Sequence, residues 1–599
     1  MRNKKEAFFL LFLFLFALGL RLSYFSFLKQ HYFFVNYPSD DVQFYQSWAE
    51  EIASGHWLGN HVFYGMPLYA YFLAIIKRLT GNHPFLIHLV QFFLGSFNCI
   101  LLYQIAKKIF SPKVAIIAGI LSATNFVLIY YDWLLMPVTL LITLSLIIAN
   151  AVLSFTPATS KREWFLLGSL LGLCVLGDGK FIFVAIFAAA FFLRQNRGVK
   201  QNIASALFVL FAGVAVILSL VALRNRMVDG DWVFLSAHGG INFYLGNNPQ
   251  ATGTFENPDF LRPTHEGHID DPRIIAETTL NRSLKPSEVS QFWSNKAWAF
   301  IKNSPARTLL LLGKKCLLFF TDAETAYDID LILQKDWKGR VDVNSFRIIC
   351  PLAILGIGIS FISRNFRAIV PFSFVLSQLI FTMLFFLITR HRATVLPFFI
   401  LFESLALSWL FEKIKSRRIK EVFFALLAFF LLFALLKSER YDTSVLDFLR
   451  ATKSGLVFAD EKKFAEARIE YQKALGLQPR DTNTIYNLAN SFAAENNFAE
   501  AILWYQRAVS MNPLNVDVLY NLGYSHEQMG NTKDAIAAYG KVVNLMPKSY
   551  DAHIRLANIF IEKGRCQDAK KHFQTVLAHY PQLSAEITSR FAACKKKLP

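Results

Sequence analysis

Asp40 and Asp41 stand side by side just after the first long apolar run. They open an amphipathic stretch in which Phe44, Trp48 and Ile52 recur at helical spacing. A carboxylate held at a membrane edge loses part of its water. Its charged form is then disfavoured, and a raised pKa suits a general base. An N-cap before a helix needs one such residue. Ser39 or Asp40 can fill that role, which leaves Asp41 without a structural reason. Cations in unusual places lie far along the chain: Arg390 and Arg392 before a late apolar run, and Lys180 in a Gly-Asp-Gly-Lys turn. Guanidinium binds phosphate oxygens through paired N–H donors. The two arginines fall on the side of the membrane where positive residues are disfavoured as topology signals. Asp132, between two apolar runs, is expected at the outer surface. His265, Glu266 and His268 form a short cluster with zinc-ligand chemistry. An exposed loop explains them more simply, and no metal or cofactor is expected.

The elements that must hold these residues are membrane helices. Of 599 residues, 54% are hydrophobic and 15% aromatic, with 60 phenylalanines, as in polytopic membrane proteins. The net charge of +19 comes mostly from Lys/Arg clusters between apolar runs, which orient such a chain. Nucleic-acid binding is not expected. The basic N-terminus lacks a small-residue cleavage site before Arg21, so the first helix is retained and starts in the cytoplasm.

Counting apolar runs and placing basic clusters inside gives about eleven spans. The N-terminus is then cytoplasmic and the C-terminus periplasmic, in an inner (plasma) membrane. The membrane domain is 1–440, with a first outer loop 28–65 and a large outer loop 224–345. The run 306–320 is not counted as a span. Lys314 and Lys315 would sit near the bilayer centre at about 2.5 to 3.5 kcal/mol each. It is expected as an interfacial helix.

The C-terminal part repeats. Pro479, Pro513, Pro547 and Pro581 are spaced by 34, as are Ala467, Ala501, Ala535 and Ala569, and Tyr471, Tyr505, Tyr539 and Phe573. This is the tetratricopeptide pattern, an α-solenoid over 448–581 with a capping helix at 582–599. Asn487, Asn490, Asn521 and Tyr524, with Asp517 and Tyr486, are expected on its concave face. A groove for an extended peptide and an ordinary solvated helix face both fit them. Cys566 and Cys594 lie equally far from Tyr580, so antiparallel helices bring them side by side. An oxidising compartment favours a bond and a cytoplasmic one favours two thiols.

The order of features resembles the GT-C membrane glycosyltransferases, in the branch of protein O-mannosyltransferases and the lipid A aminoarabinose transferase. The resemblance rests on Asp40-Asp41 with Phe44-Tyr45 and Trp48-Ala49, Gly55-x-Trp57, and Phe63-Tyr64-Gly65-Met66-Pro67-Leu68-Tyr69. Tyr131-Asp132-x-Leu134-Leu135 and the stretch Gly239 to Asn248 extend it, and Arg390-His391-Arg392 ends it. It implies an all-α body with periplasmic loops and inverting sugar transfer from a polyprenyl-phosphate donor to an acceptor hydroxyl. Asp41 would be the base, with Asp40 second. Asp132 would orient the acceptor or fix a cationic partner. Arg390, Arg392 and Lys180 would meet the donor phosphate, Lys180 standing where members often have arginine. Tyr45, Asn242, Tyr244, Asn247 and Glu324 would be acceptor or loop contacts. The implied partners are the lipid donor, an acceptor protein or glycan, and a protein bound by the repeats. A lipid-linked oligosaccharide ligase or polymerase, or a non-enzymatic scaffold, are the alternatives.

Overall fold

The computed structural model describes residues 2–30, 40–156, 159–195, 200–258, 260–262, 265–322, 345–436, 443–547, 549–579 and 587. Among the described residues the fold is all-helical, with one isolated bridge between Thr254 and Leu387. The chain divides into two compact units. One joins 1–256 to 284–440, and the other joins 257–283 to 441–599. Part of the large loop that the sequence assigns to the membrane domain thus folds with the repeats.

The first unit begins with α1 (Arg2–Gln30), whose Leu13, Ala17 and Tyr24 are buried while Phe8, Leu11 and Leu15 are exposed. An exposed apolar face of this kind marks a membrane or protein-contact surface. Then come α2 (Asp40–Ala53), α3 (Leu68–Leu79), α4 (Pro84–Ile109), α5 (Pro112–Thr124), α6 (Phe126–Trp133), α7 (Val138–Ser154), α8 (Lys161–Val175), α9 (Phe181–Gln195) and α10 (Lys200–Asp229). The break between α5 and α6 bends the chain by 51°. Asn125 makes it, its side chain accepting from the Leu128 N–H at 3.2 Å and so capping α6.

After the short α11 (Gly239–Gly246), and past α12 (His265–Leu280) of the second unit, the first unit resumes. It adds α13 (Pro286–Asn303), α14 (Pro305–Phe320), α15 (Phe346–Ile362), α16 (Ile369–Leu384), α17 (Thr389–Ala393), α18 (Leu396–Lys415) and α19 (Ile419–Leu435). Among the described residues, four helices are long and apolar enough to cross a membrane, five if the bent pair is one span. The larger sequence count includes helices such as α7, α9 and α15, which are apolar but only 10–17 residues long. A straight crossing takes about 20 residues. The expected interfacial run is the single helix α14, in which Lys314 is exposed and Lys315 fully buried. Lys315 Nζ donates to Asn247 Oδ1 at 3.1 Å and to the Met383 carbonyl at 3.2 Å.

The second unit carries α20 (Thr443–Asp460), α21 (Phe464–Leu477), α22 (Thr482–Ala494), α23 (Phe498–Met511), α24 (Val516–Gln528), α25 (Thr532–Leu545), α26 (Tyr550–Glu562) and α27 (Cys566–His579). The 34-residue pattern is its core. All four repeat alanines are 0% exposed, and Tyr471, Tyr505 and Tyr539 at most 1%. The small residues let paired helices meet, and each tyrosine fills the gap between repeats. Asp481 and Asn515 cap α22 and α24. Cys566 is disulfide-bonded, and Cys99, Cys174, Cys316 and Cys350 are free. Cys594 and, apart from Ile587, the expected capping helix lie outside the described residues.

Candidate active site

The site is built on α2. Val42, Ala49 and Ile52 anchor its buried face. Phe44 and Trp48 meet with tilted rings at 5.2 Å, and Trp48 meets Phe63 at 5.4 Å. This fixes the helix so that Asp41 and, one turn on, Tyr45 share one side. Asp41 meets Arg390 of α17 in an ion pair, both side chains part-exposed. Arg390 is positioned from behind by the preceding strand-like residues. Leu387 N–H donates to the Gly253 carbonyl at 2.9 Å, and Phe255 N–H donates to the Leu387 carbonyl at 3.2 Å. Two groups 349 positions apart in the chain are thus brought together. Asp40 is the first residue of α2, and its side chain lies outside the described residues.

Tyr45 and Tyr64 flank the carboxylate. Burial, and then the Asp41 charge, raise both phenols above their ordinary range, so they remain hydrogen-bond donors. His391, beside Arg390 in sequence, is pushed down to about 3 by burial, against the pull of Asp178, and its Nδ1 is buried without a hydrogen-bond partner. Neutral His391 therefore adds no charge to the site.

Lys180 departs from its expected place. The turn buries it: Nζ pairs with Asp178 at 2.8 Å, donates to Gln378 Oε1 at 2.7 Å, and bonds the Thr394 hydroxyl. The reason is local, because the same turn supplies Asp178 as a counter-charge. Arg392 also turns away from Arg390. It is buried, donates to the Thr321 carbonyl at 2.6 Å, and lies over the Phe346 ring.

Asp132 is likewise buried. Arg21 of α1 donates to it at 2.6 Å and Thr139 at 2.7 Å. Arg21 also donates to the carbonyls of Ala17 and Gly95. Gly95 must be glycine for this, since a Cβ there would lie 1.9 Å from Asp132 Oδ2. The lock connects to the site through Gln91. That amide donates to the carbonyls of Asp132 and Leu134 and accepts from Tyr69 at 2.6 Å, and the Tyr69 ring packs on Tyr45. Asp132 thus pairs with the cation Arg21 and links α1 to α7.

Asn247 is structural. It is buried and donates to the carbonyls of Phe243 and Leu384. Gly246 beside it leaves no room for a Cβ, which would meet the Phe385 carbonyl at 2.1 Å. Tyr244 packs on Trp293 at 5.0 Å, and Asn242 lies within α11. Glu324 lies outside the described residues. Among the described residues no group of three or more His, Cys, Asp or Glu could hold a metal.

Arg21, Tyr64, Asp178 and His391 were not singled out from the sequence. Asp178 was visible in the Gly-Asp-Gly-Lys turn. Arg21 carried a signal too, as a charge near the end of an apolar run.

In the repeat unit, Asn521 donates to Tyr486 Oη at 3.0 Å and Asn490 Oδ1 at 3.1 Å, and Tyr505 donates to the same Oδ1 at 2.5 Å. Asn490 and Asn521 therefore stitch neighbouring repeats. Tyr524 lies under Arg555, and Asn487 is half-buried.

Residues 65–223 match a family model described as dolichyl-phosphate-mannose-protein mannosyltransferase. Residues 489–530 match a TPR repeat model, and 526–589 a tetratricopeptide repeat model. A segment similar to that mannosyltransferase family is thus followed by tetratricopeptide repeats. This supports a membrane glycosyltransferase with a protein-interaction domain. Asp41 and Arg390 fall outside the matched segment. No curated protein matches the chain. Among solved structures it is similar to the MamA protein, at 17% identity over 25% of this chain and 91% of that one, TM-score 0.23. A tetratricopeptide repeat protein from Parabacteroides merdae is 18% identical over 25% of this chain and 59% of that one, TM-score 0.24. YrrB, a TPR protein with an unusual peptide-binding site, is 16% identical over 32% and 90%, TM-score 0.22.

Proposed function

We propose that the chain transfers a sugar from a polyprenyl-phosphate carrier to an acceptor hydroxyl at the extracytoplasmic face of the inner membrane, with inversion. Asp41 accepts the hydroxyl proton as the acceptor oxygen bonds the anomeric carbon. The bond from that carbon to the phosphate oxygen breaks, and the lipid phosphate leaves. The observation that carries this reading is the Asp41–Arg390 ion pair. A base paired to a guanidinium is a weak base, and the donor resolves this: its phosphate draws Arg390, and the freed carboxylate faces the acceptor. Tyr45 and Tyr64 are placed to hold donor or acceptor oxygens as donors. About eleven crossings place this loop and the repeats outside, and the repeats recruit an acceptor or partner protein.

Asp41→Asn keeps the size of the side chain and removes the base. Transfer to an acceptor in membranes should fall by at least ~100-fold, with the chain still inserted and folded. Full activity would refute the assignment.

A further inference from the structure

We propose that the segment 257–283 is a ligand that the chain supplies to its own repeat domain, with Arg262 as anchor. A partner peptide takes the same face by presenting an arginine in its place. The inference rests on the repeats being a protein-binding module, as proposed above.

The segment folds with the repeats although the chain on both sides of it belongs to the membrane unit. Arg262 is 4% exposed. Its Nη1 donates to Asp517 Oδ2 at 2.7 Å, in the first turn of α24. That helix also supplies Asn521, bonded to Tyr486 and Asn490, so Arg262 is seated at the polar face the sequence singled out. The anchor is held in one shape. Its Nε donates to Asp271 at 2.9 Å, its own backbone N–H donates to the same carboxylate at 2.7 Å, and Gly267 closes over it, where a Cβ would lie 2.4 Å from Arg262 Cβ.

The contact is suited to exchange. Asp271 travels with Arg262, so the guanidinium keeps a counter-charge when the segment leaves. The ion pair shared with the repeats ends on a carboxylate that is 46% exposed, where such pairs are weak. Arg262 Nη2 is buried with no hydrogen-bond partner, which weakens the hold further. An incoming arginine that satisfies all its donors competes on favourable terms.

The test uses the full-length chain in detergent and a fluorescent synthetic copy of residues 257–283 as probe. Arg262→Ala should bind the probe at least ten-fold more tightly than the parent, because the internal competitor is weakened. Asp517→Asn should abolish that gain, and so should alanine at the anchor position of the probe. Equal affinity for parent and Arg262→Ala overturns the inference. A second measurement needs no probe. Asp517→Ala should speed amide exchange across 257–283, and unchanged exchange overturns the inference even if a variant binds poorly for other reasons. Sugar transfer is read separately. An inactive Asp41→Asn chain that shows the ten-fold gain keeps this inference, and an active chain without the gain refutes it alone.

Discussion

Removing Asp132 separates a lock from a catalytic group. The carboxylate is 3% exposed and Arg21 1%, and they meet at 2.6 Å. Breaking a buried pair by deleting one partner costs about 3–5 kcal/mol, because the other charge is left uncompensated. Arg21 keeps two carbonyl acceptors, at 3.0 and 3.2 Å, which places Asp132→Ala near the lower end. For a unit of about 400 residues, about 3 kcal/mol corresponds to a fall in Tm on the order of 3–4 °C. Replacing both charges, as in Arg21→Met with Asp132→Leu, removes the desolvation cost on both sides, so stability should return to within about 1 kcal/mol of the parent. Thermal unfolding in detergent reads stability, and transfer from a lipid-linked sugar reads activity. If Asp132 only positions helices, the double variant recovers both. Recovered stability with transfer still absent would refute that role and return Asp132 to the chemistry.

Other outcomes follow from contacts already described. Gly95→Ala drives a methyl into Asp132 Oδ2 and should cost as much as losing the lock, read by the same unfolding assay. Tyr505→Phe removes the 2.5 Å bond to Asn490 and should destabilise the repeats by about 1 kcal/mol, read by amide exchange over 482–545. In α26 and α27, His553 Nε2 faces the Pro547 carbonyl at 3.0 Å and must donate, so its Nδ1 accepts from His572 Nδ1 at 2.8 Å. Burial, then the neighbouring His553, pushes His572 down to about 4. The unfolded imidazole takes its proton near 6.5 and the folded one near 4, so this stability is present above 6.5 and lost as pH falls between those values. The protection of amides over 550–579, corrected for the intrinsic pH dependence of exchange, should fall in that window, and constant protection would refute the pairing.

The repeats were legible because their signal is periodic: one alanine and one tyrosine every 34 residues identify a core without any distant contact. Asp41 and Arg390 were legible as residue types in unusual places, yet nothing local says that they touch. Lys180 and Arg392 misled for a common reason. A cation near a span end looks exposed in sequence, and whether it turns inward depends on acceptors such as Gln378, Thr394 or the Thr321 carbonyl, which come from distant helices. Asp132 raised the expectation of a cationic partner, but that partner, Arg21, lies 111 residues earlier and nothing local names it. Asn490 and Asn521 looked like groove residues, since a stitch between repeats and a ligand contact use the same amide chemistry.

The joining of 257–283 to the repeats constrains how the chain threads the bilayer, whatever the true number of crossings. Two stretches that fold as one unit lie on one side of any bilayer the chain crosses, so an even number of passages separates residue 283 from residue 443. Among the described residues of this interval, α16 alone has the length and hydropathy of a full span, so the even number calls for at least one shorter apolar helix, such as α15, to cross as well. The Asp41–Arg390 contact imposes the same parity on the stretch between those two residues. A recount of spans must therefore add or remove them in pairs within each interval.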